Sequence, residues 1–201
     1  VKYFIEGEHL LVNSEKMSKS LGNIHTLRDI EAKGFSPLAF RYLVLTAHYR
    51  SKLNFTWKSL EAAQNALEKL RETVLEIQKE AKKSAVSKTD FNKYYDKFLS
   101  YVNDDLKMPR ALALLWKIVK SKKLDAKTKY NLIIDFDKIF GLNLDKIKTA
   151  KISLSVLKLV KEREKYRQEN NFKKSDELRK KIRKLGWLVE DTPQGPKIKQ
   201  K

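Results

Sequence analysis

Apolar residues recur at helical spacing through most of the chain, and only its two ends depart from that rhythm. Trp57, Leu60, Ala63, Leu67, Leu70, Val74 and Ile77 follow one another at steps of three and four, which places them on one face of a long helix. Phe91, Tyr94, Tyr95, Phe98, Val102 and Leu106 mark a second helix. Pro109 opens a third, with Leu112, Leu115, Trp116 and Val119 turned inward, and Asp125 caps a fourth that stops at Gly141. Ahead of these, Thr26 with Asp29 has the form of a capping box for a short helix ending near Gly34. Ser36-Pro37 then supplies an N-cap and a first-turn proline for a helix reaching about His48. Residues 82–89 are polar and basic and read as an exposed connection. Four such helices joined by short loops suit an antiparallel bundle.

At the N-terminal end, the apolar runs within residues 3–12 (from Tyr3) predict a hairpin turning at Glu6-Gly7-Glu8, followed by a polar loop over 13–23. The C-terminal end predicts two amphipathic helices, over 154–169 and 173–185. Residues 187–189 and 196–198 then pair as a small hairpin around Pro193, Gln194 and Gly195. The fold class expected is mainly α: a short β-leaning start, a helical bundle and a small α+β tail.

Composition sharpens this picture. Six glycines and four prolines in 201 residues are too few for an all-β protein with many turns. Lysine and arginine outnumber acids 44 to 25, a net charge of +19, so a polyanion is the first partner to consider. About half of that excess, +9, sits in residues 151–201. The absence of cysteine excludes a disulfide framework, a thiol nucleophile and a thiolate zinc site. No apolar run is long enough to span a membrane, and no secretory signal is present. The chain opens at Val1-Lys2-Tyr3 without a methionine, which predicts a piece of something longer.

One string carries chemistry. Lys16-Met17-Ser18-Lys19-Ser20 spells KMSKS and is followed by Leu21-Gly22-Asn23. In a chain this rich in lysine the string is expected by accident on the order of 10⁻⁴ times. Two lysines three apart on a loop with small hydroxyl residues can close over a triphosphate. They supply positive charge where negative charge builds during phosphoryl or adenylyl transfer. A lysine is a flexible point charge, and it tolerates a moving polyphosphate better than the rigid fork of arginine.

KMSKS is a signature of class I aminoacyl-tRNA synthetases, and the run from His9 to Asn23 resembles the cysteinyl-tRNA synthetases in particular. So do Arg41-Tyr42, the segment His48-Tyr49-Arg50-Ser51-Lys52-Leu53-Asn54-Phe55, and Asn103-Asp104-Asp105-Leu106 with Ala111-Leu112-Ala113. Asn171-Phe172, Ser175-Asp176-Glu177-Leu178-Arg179, Gly186 and the run Glu190 to Gly195 extend the resemblance to the end. Residues 79–90 and 141–153 match least. The family's other signature, HIGH, is absent, and so is the Cys, His and Glu set that holds its zinc. His9, His25 and His48 lack ligand spacing and read as loop or packing residues. The resemblance therefore implies the C-terminal half of such an enzyme, starting just before the KMSKS loop, with zinc in the missing N-terminal half and none here.

By that resemblance, residues 1–35 end the catalytic domain and begin a stem-contact region. Residues 36–150 form a tRNA-binding helical domain, and 151–201 recognise the anticodon. Lys19 is expected to contact ATP, supplied with Mg²⁺, as cysteinyl-adenylate forms. Lys16 assists or anchors the loop, Met17, Ser18 and Ser20 complete the ATP-binding segment, and Gly22 supplies its turn. Lys69, Arg71, Lys82, Lys83, Lys117, Lys120, Lys122 and Lys123 are basic positions able to track phosphates. Arg167, Phe172, Asp176, Arg179 and Asp191 are the anticodon candidates, since stacking platforms and hydrogen-bonding side chains read unpaired bases. Phe172 stands where some relatives have tryptophan, with core packing as its alternative role, while Trp187 reads as core. The partners implied are tRNA(Cys), ATP and cysteine, with a cytoplasmic monomer and no membrane. The alternatives are a non-catalytic tRNA- or RNA-binding module and another class I ligase.

Overall fold

The computed structural model describes residues 2, 4–82, 85–147, 153–192 and 195–200; Tyr3, Lys83 and the Pro193-Gln194 turn lie outside them. Two compact units are formed, residues 1–147 and 148–201.

In the first unit, β1 (Leu10–Val12) and β2 (Glu15–Lys16) precede α1 (Leu27–Ala32), α2 (Pro37–Leu45) and β3 (Leu53–Phe55). Helices α3 (Trp57–Ala81), α4 (Lys88–Asn103), α5 (Met108–Lys120) and α6 (Ala126–Phe140) complete it. The hairpin expected around Gly7 is not there. The chain reverses instead at Asn13 and Ser14, both in the left-handed region (φ 51° and 69°), as a two-residue hairpin turn requires. Phe4 and Ile5 stay exposed, at 79% and 72%. Strand β1 finds its second partner in β3, in parallel, with Leu10 opposite Leu53 and Val12 opposite Phe55. A parallel pair needs a long crossover, so local pattern could not show it.

The helices follow their predicted signals closely. Thr26 and Asp29 cap α1 reciprocally. The Phe35 N–H reaches the Ile30 carbonyl across Gly34 (φ 83°), which ends the turn. Ser36 caps α2, which stops at Leu45 rather than His48. Leu60, Ala63, Leu67, Leu70, Val74 and Ile77 are buried along α3. Helix α4 begins at Lys88, inside the expected linker, because Ser87 caps it through the Asp90 N–H. Leu106 lies outside α4 and is exposed; Asp105 and Leu106 both take positive φ (52° and 49°) and turn the chain toward α5. Of the α4 stripe only Phe98 is fully buried, stacked on Phe136 with ring centroids 3.9 Å apart. Trp116 is half-buried, and its indole N–H donates to the Tyr42 hydroxyl at 2.8 Å.

Asp125 starts α6 and Gly141 ends it, as expected. Arg41 on α2 lies over that end and donates to the Ile139 and Phe140 carbonyls, a cation placed where the helix leaves unpaired acceptors. Gly141 has φ +62°, and a Cβ there would come 2.9 Å from the Arg41 guanidinium. Gly141→Ala is therefore expected to destabilise this unit by about 1–2 kcal/mol, the left-handed cost for a residue with a Cβ. Chemical denaturation measures this, and an unmoved midpoint contradicts it.

In the second unit α7 (Leu154–Gln168) and α8 (Phe172–Lys184) pack together, and β4 (Trp187–Thr192) pairs antiparallel with β5 (Gly195–Gln200). Val156, Val160, Ile182 and Val189 form a small core, with Leu159, Trp187 and Ile198 packed against it. No helix among the described residues is long and apolar enough to cross a membrane.

Candidate functional site

The KMSKS segment leaves β2 at Lys16 and is drawn into a closed loop by one side chain. The Asn23 amide donates to the Lys16 carbonyl at 3.1 Å and accepts from the Ser18 N–H at 2.8 Å. Gly22, at φ +62°, sends its N–H back to the Lys19 carbonyl at 3.1 Å. The Ser18 and Ser20 hydroxyls lie 3.1 Å apart, and Ser18 also accepts the Leu21 N–H at 3.3 Å. Met17 is half-buried against the main core and pins the loop, while Lys16 and Lys19 are exposed. Neither lysine has a carboxylate partner among the described residues. Two free ammonium groups thus stand on a loop whose backbone is held from behind.

The turn that feeds this loop is itself clamped. The Asn54 side chain on β3 accepts the Ser14 N–H at 2.7 Å and donates to the Ser14 hydroxyl at 3.1 Å. The Asn13 N–H adds a bond to the Phe55 carbonyl at 3.0 Å. One residue further on, Thr56 and Ser59 cap α3 reciprocally, so the loop is anchored to the start of the longest helix. Asn23 and Asn54 were not singled out in the sequence. The segments around His48 and Asp105 also meet: Tyr49 donates to the Asp105 carboxylate, Arg50 pairs with it at 3.0 Å, and His48 Nε2 lies 2.7 Å from its carbonyl. The Tyr49 hydroxyl, then Arg50, hold the Asp105 carboxyl below the usual carboxylate range. These contacts fix the chain between α2 and β3 against the α4–α5 turn.

In the second unit a buried cation organises the candidates. Arg163 is 1% exposed and grips Asp191 with both terminal nitrogens, at 2.8 and 2.9 Å, while also meeting Glu164 at 2.8 Å. Arg167 bonds the same Asp191 carboxylate from α7. The hydrogen bonds from Arg163 chiefly, with the nearby charges of Arg163, Arg167 and Arg179, hold the Asp191 carboxyl below its ordinary range. Phe172, Asp176 and Arg179 lie at four- and three-residue steps on α8, all exposed, and so share a face. Phe172 is 59% exposed, which removes core packing as its role; Trp187 packs against the small core, as expected. Arg163 is the residue the sequence reading missed. Its signal was present, because it occupies the next step of the Val156, Val160 stripe, where an apolar residue belongs.

A family model described as tRNA synthetases class I (C) catalytic domain matches residues 1–65, which contain the loop and both of its clamps. The cysteine–tRNA ligase of Borrelia hermsii is 36% identical over 98% of this chain, and that of Protochlamydia amoebophila is 36% identical over 100%. Cysteine–tRNA ligase 1 of Burkholderia lata is 39% identical over 98%. The chain belongs to the cysteine–tRNA ligase family. It spans 44%, 44% and 41% of those three relatives and corresponds to their C-terminal part.

Among solved structures, the LeuRS–tRNA–LeuAMS ternary complex of Agrobacterium radiobacter K84 shares the fold over 70% of this chain and 21% of its own, with a TM-score of 0.54 and 16% identity. The Arg163–Asp191 cluster lies beyond the residues matched by the catalytic-domain model of this ligase family. Among the described residues no three His, Cys, Asp or Glu side chains are placed to hold a metal ion. His25 packs against Phe55 and Trp57, and His48 is taken up by Asp105. With no cysteine in the chain, a zinc site with thiolate ligands is excluded.

Proposed function

We propose that this chain forms the C-terminal part of a working cysteine–tRNA ligase, supplying the KMSKS loop to ATP and the surface that holds tRNA(Cys). The observation that carries the reading is the pair of exposed ammonium groups, Lys16 and Lys19, without carboxylate partners among the described residues, on a loop closed by Asn23. In the activation step a carboxylate oxygen of cysteine bonds to the α-phosphorus of ATP. The bond to the bridging oxygen breaks, and the electron pair leaves with pyrophosphate. Lys19 lies over the leaving phosphates and neutralises the charge growing on them, a task that fixed positive groups perform with little reorganisation. Lys16 supports it from the rim, and the Ser18 and Ser20 hydroxyls shape the loop or bond the phosphates. Mg²⁺ enters with ATP as part of the substrate.

On this reading residues 1–35 belong to the catalytic and stem-contact end, 36–150 to the tRNA-binding bundle and 151–201 to anticodon recognition. The ligase works in the cytoplasm as a monomer. The exposed Phe172 ring offers a stacking platform, and Asp176 and Arg179 follow it along the same face of α8 with hydrogen-bonding groups. Arg163 and Arg167 aim the Asp191 carboxylate, whose Oδ1 keeps one lone pair free for a base amino group.

The test is binding of the 201-residue chain to unmodified tRNA transcripts, one with a GCA anticodon and one with a single anticodon base changed, at two salt concentrations. The expected result is a preference for GCA that survives at the higher salt, since phosphate contacts alone are steeply salt-dependent and blind to sequence. Equal, salt-sensitive binding to every RNA overturns the anticodon assignment.

A further inference from the structure

The groove between α4 and α5 collects charge that the loop and the anticodon candidates do not use. It is a cavity of about 330 Å³ lined by Lys97 and Tyr101 from α4 and by Arg110, Ala113, Leu114 and Lys117 from α5. The α5 residues repeat at steps of three and one, and the α4 pair at four, so each helix contributes a single face. Buried Leu114 makes the floor, and the small Ala113 side chain leaves the hollow open. Lys97, Arg110 and Lys117 are exposed, no carboxylate lines the groove, and none of the three has an ion-pair partner among the described residues. Three cations elsewhere in this unit do have carboxylate partners: Lys107 with Asp104, Lys138 with Asp135, Arg50 with Asp105. Residues 108–123 hold five basic side chains and no acidic one, so the charge continues past Lys117 to Lys120 at the end of α5 and to Lys122 and Lys123 just beyond it.

Three cations converging on one concavity repel one another unless an anion sits among them. From Arg110 to Lys117 the helix rises about 10 Å at 1.5 Å per residue, room for more than one phosphate along the groove. Arginine presents a planar fork to phosphate oxygens, and lysines add point charges. Tyr101, half-buried on the wall, brings a phenolic hydroxyl with donor capacity for a phosphate or ribose oxygen.

We propose that the α4–α5 groove seats the phosphodiester backbone of an RNA, through Lys97, Arg110, Lys117 and Tyr101. The inference rests on the proposed tRNA-binding function and adds a place and a set of contacts to it. Lys97 and Arg110 are new to the set of basic candidates. Arg71, by contrast, is half-buried and spends a guanidinium nitrogen on the Leu142 carbonyl at 3.2 Å.

The experiment compares the unaltered chain, the triple variant Lys97→Gln/Arg110→Gln/Lys117→Gln, and a control with equal charge loss, Lys52→Gln/Lys58→Gln/Lys79→Gln. RNA affinity is measured across a salt series, with circular dichroism and melting temperature confirming that each protein is folded. The groove variant is expected to bind at least about tenfold more weakly near 0.1 M salt, with a salt slope shallower by about two to three units; the control changes both far less. A groove variant that matches the control overturns the proposal while leaving the tRNA reading intact. An unaltered chain that binds no RNA overturns both. If the groove variant keeps its RNA affinity but loses binding to polyglutamate, the groove belongs to an acidic protein partner and the proposal fails.

Discussion

Replacing Asp191 by alanine is expected to destabilise the C-terminal unit by about 3 kcal/mol. Arg163 is then a buried cation left with Glu164 alone, and removing one member of a buried pair costs about 3–5 kcal/mol in general. The low end applies because Glu164 remains and Asp191 itself is partly exposed, 36% by side chain. A unit of this size has only about 3–8 kcal/mol of stability at the usual value per residue, so the loss is a large share. Hydrogen exchange over residues 153–192 reads the effect in this unit separately. Arg163→Met is expected to cost less, because Asp191 keeps Arg167 at the protein edge and a linear apolar chain fills the space. Equal protection in the Asp191→Ala variant and the unaltered protein would refute the assignment.

The same contact sets a pH dependence. The Asp191 carboxyl titrates lower in the folded unit than in the unfolded chain, so the stability it contributes is present above the unfolded value near 3.9. That stability is lost as pH falls through the folded value, and the unit is expected to loosen only in strong acid. Anticodon discrimination by the variant is meaningful only below its melting temperature, since an unfolded unit weakens binding to every tRNA alike.

Lys19→Ala in a full-length ligase carrying this sequence is expected to slow cysteine-dependent ATP–pyrophosphate exchange by about 10²-fold or more. That is the usual effect of removing one group aimed at charge developing in a transition state. Affinity for tRNA and melting temperature are expected to hold, because the Lys19 side chain is exposed and supports no packing. Lys19→Arg, with a charge but a stiff planar head, falls between the two. An unchanged exchange rate removes Lys19 from the site. No exchange by the unaltered ligase would refute the functional reading itself.

Most helices were legible because their signals are local. A hydroxyl or carboxyl N-cap, a first-turn proline, a C-terminal glycine and a three–four apolar rhythm all act within one or two turns, as at Thr26, Ser36, Asp125 and Gly141. The KMSKS loop was legible for a different reason. The chemistry proposed for it uses particular side chains in an unbroken run, so the string itself carries the information. Misreadings occurred where an element depends on a distant partner. The apolar start suggested a hairpin at Gly7, yet strand β1 takes its parallel neighbour from residues 53–55. Leu106 fitted the α4 stripe, yet the helix stops at Asn103, and Asp105 and Leu106 itself turn the chain in left-handed conformations.

From its sequence alone, this protein is a basic, mainly helical chain with a lysine loop suited to a triphosphate, and its resemblance points to the C-terminal end of a synthetase. Those features arise from short-range backbone preferences and from side-chain chemistry, which are written residue by residue. Only the tertiary structure decided that Asn54 holds the turn before the loop, that Arg163 and Arg167 grip Asp191, and that Lys97 shares a groove with Arg110 and Lys117. Each of these joins side chains from different elements, 13 to 40 residues apart for the pairs named. Such contacts depend on how helices and strands pack, and packing is a property of the whole core.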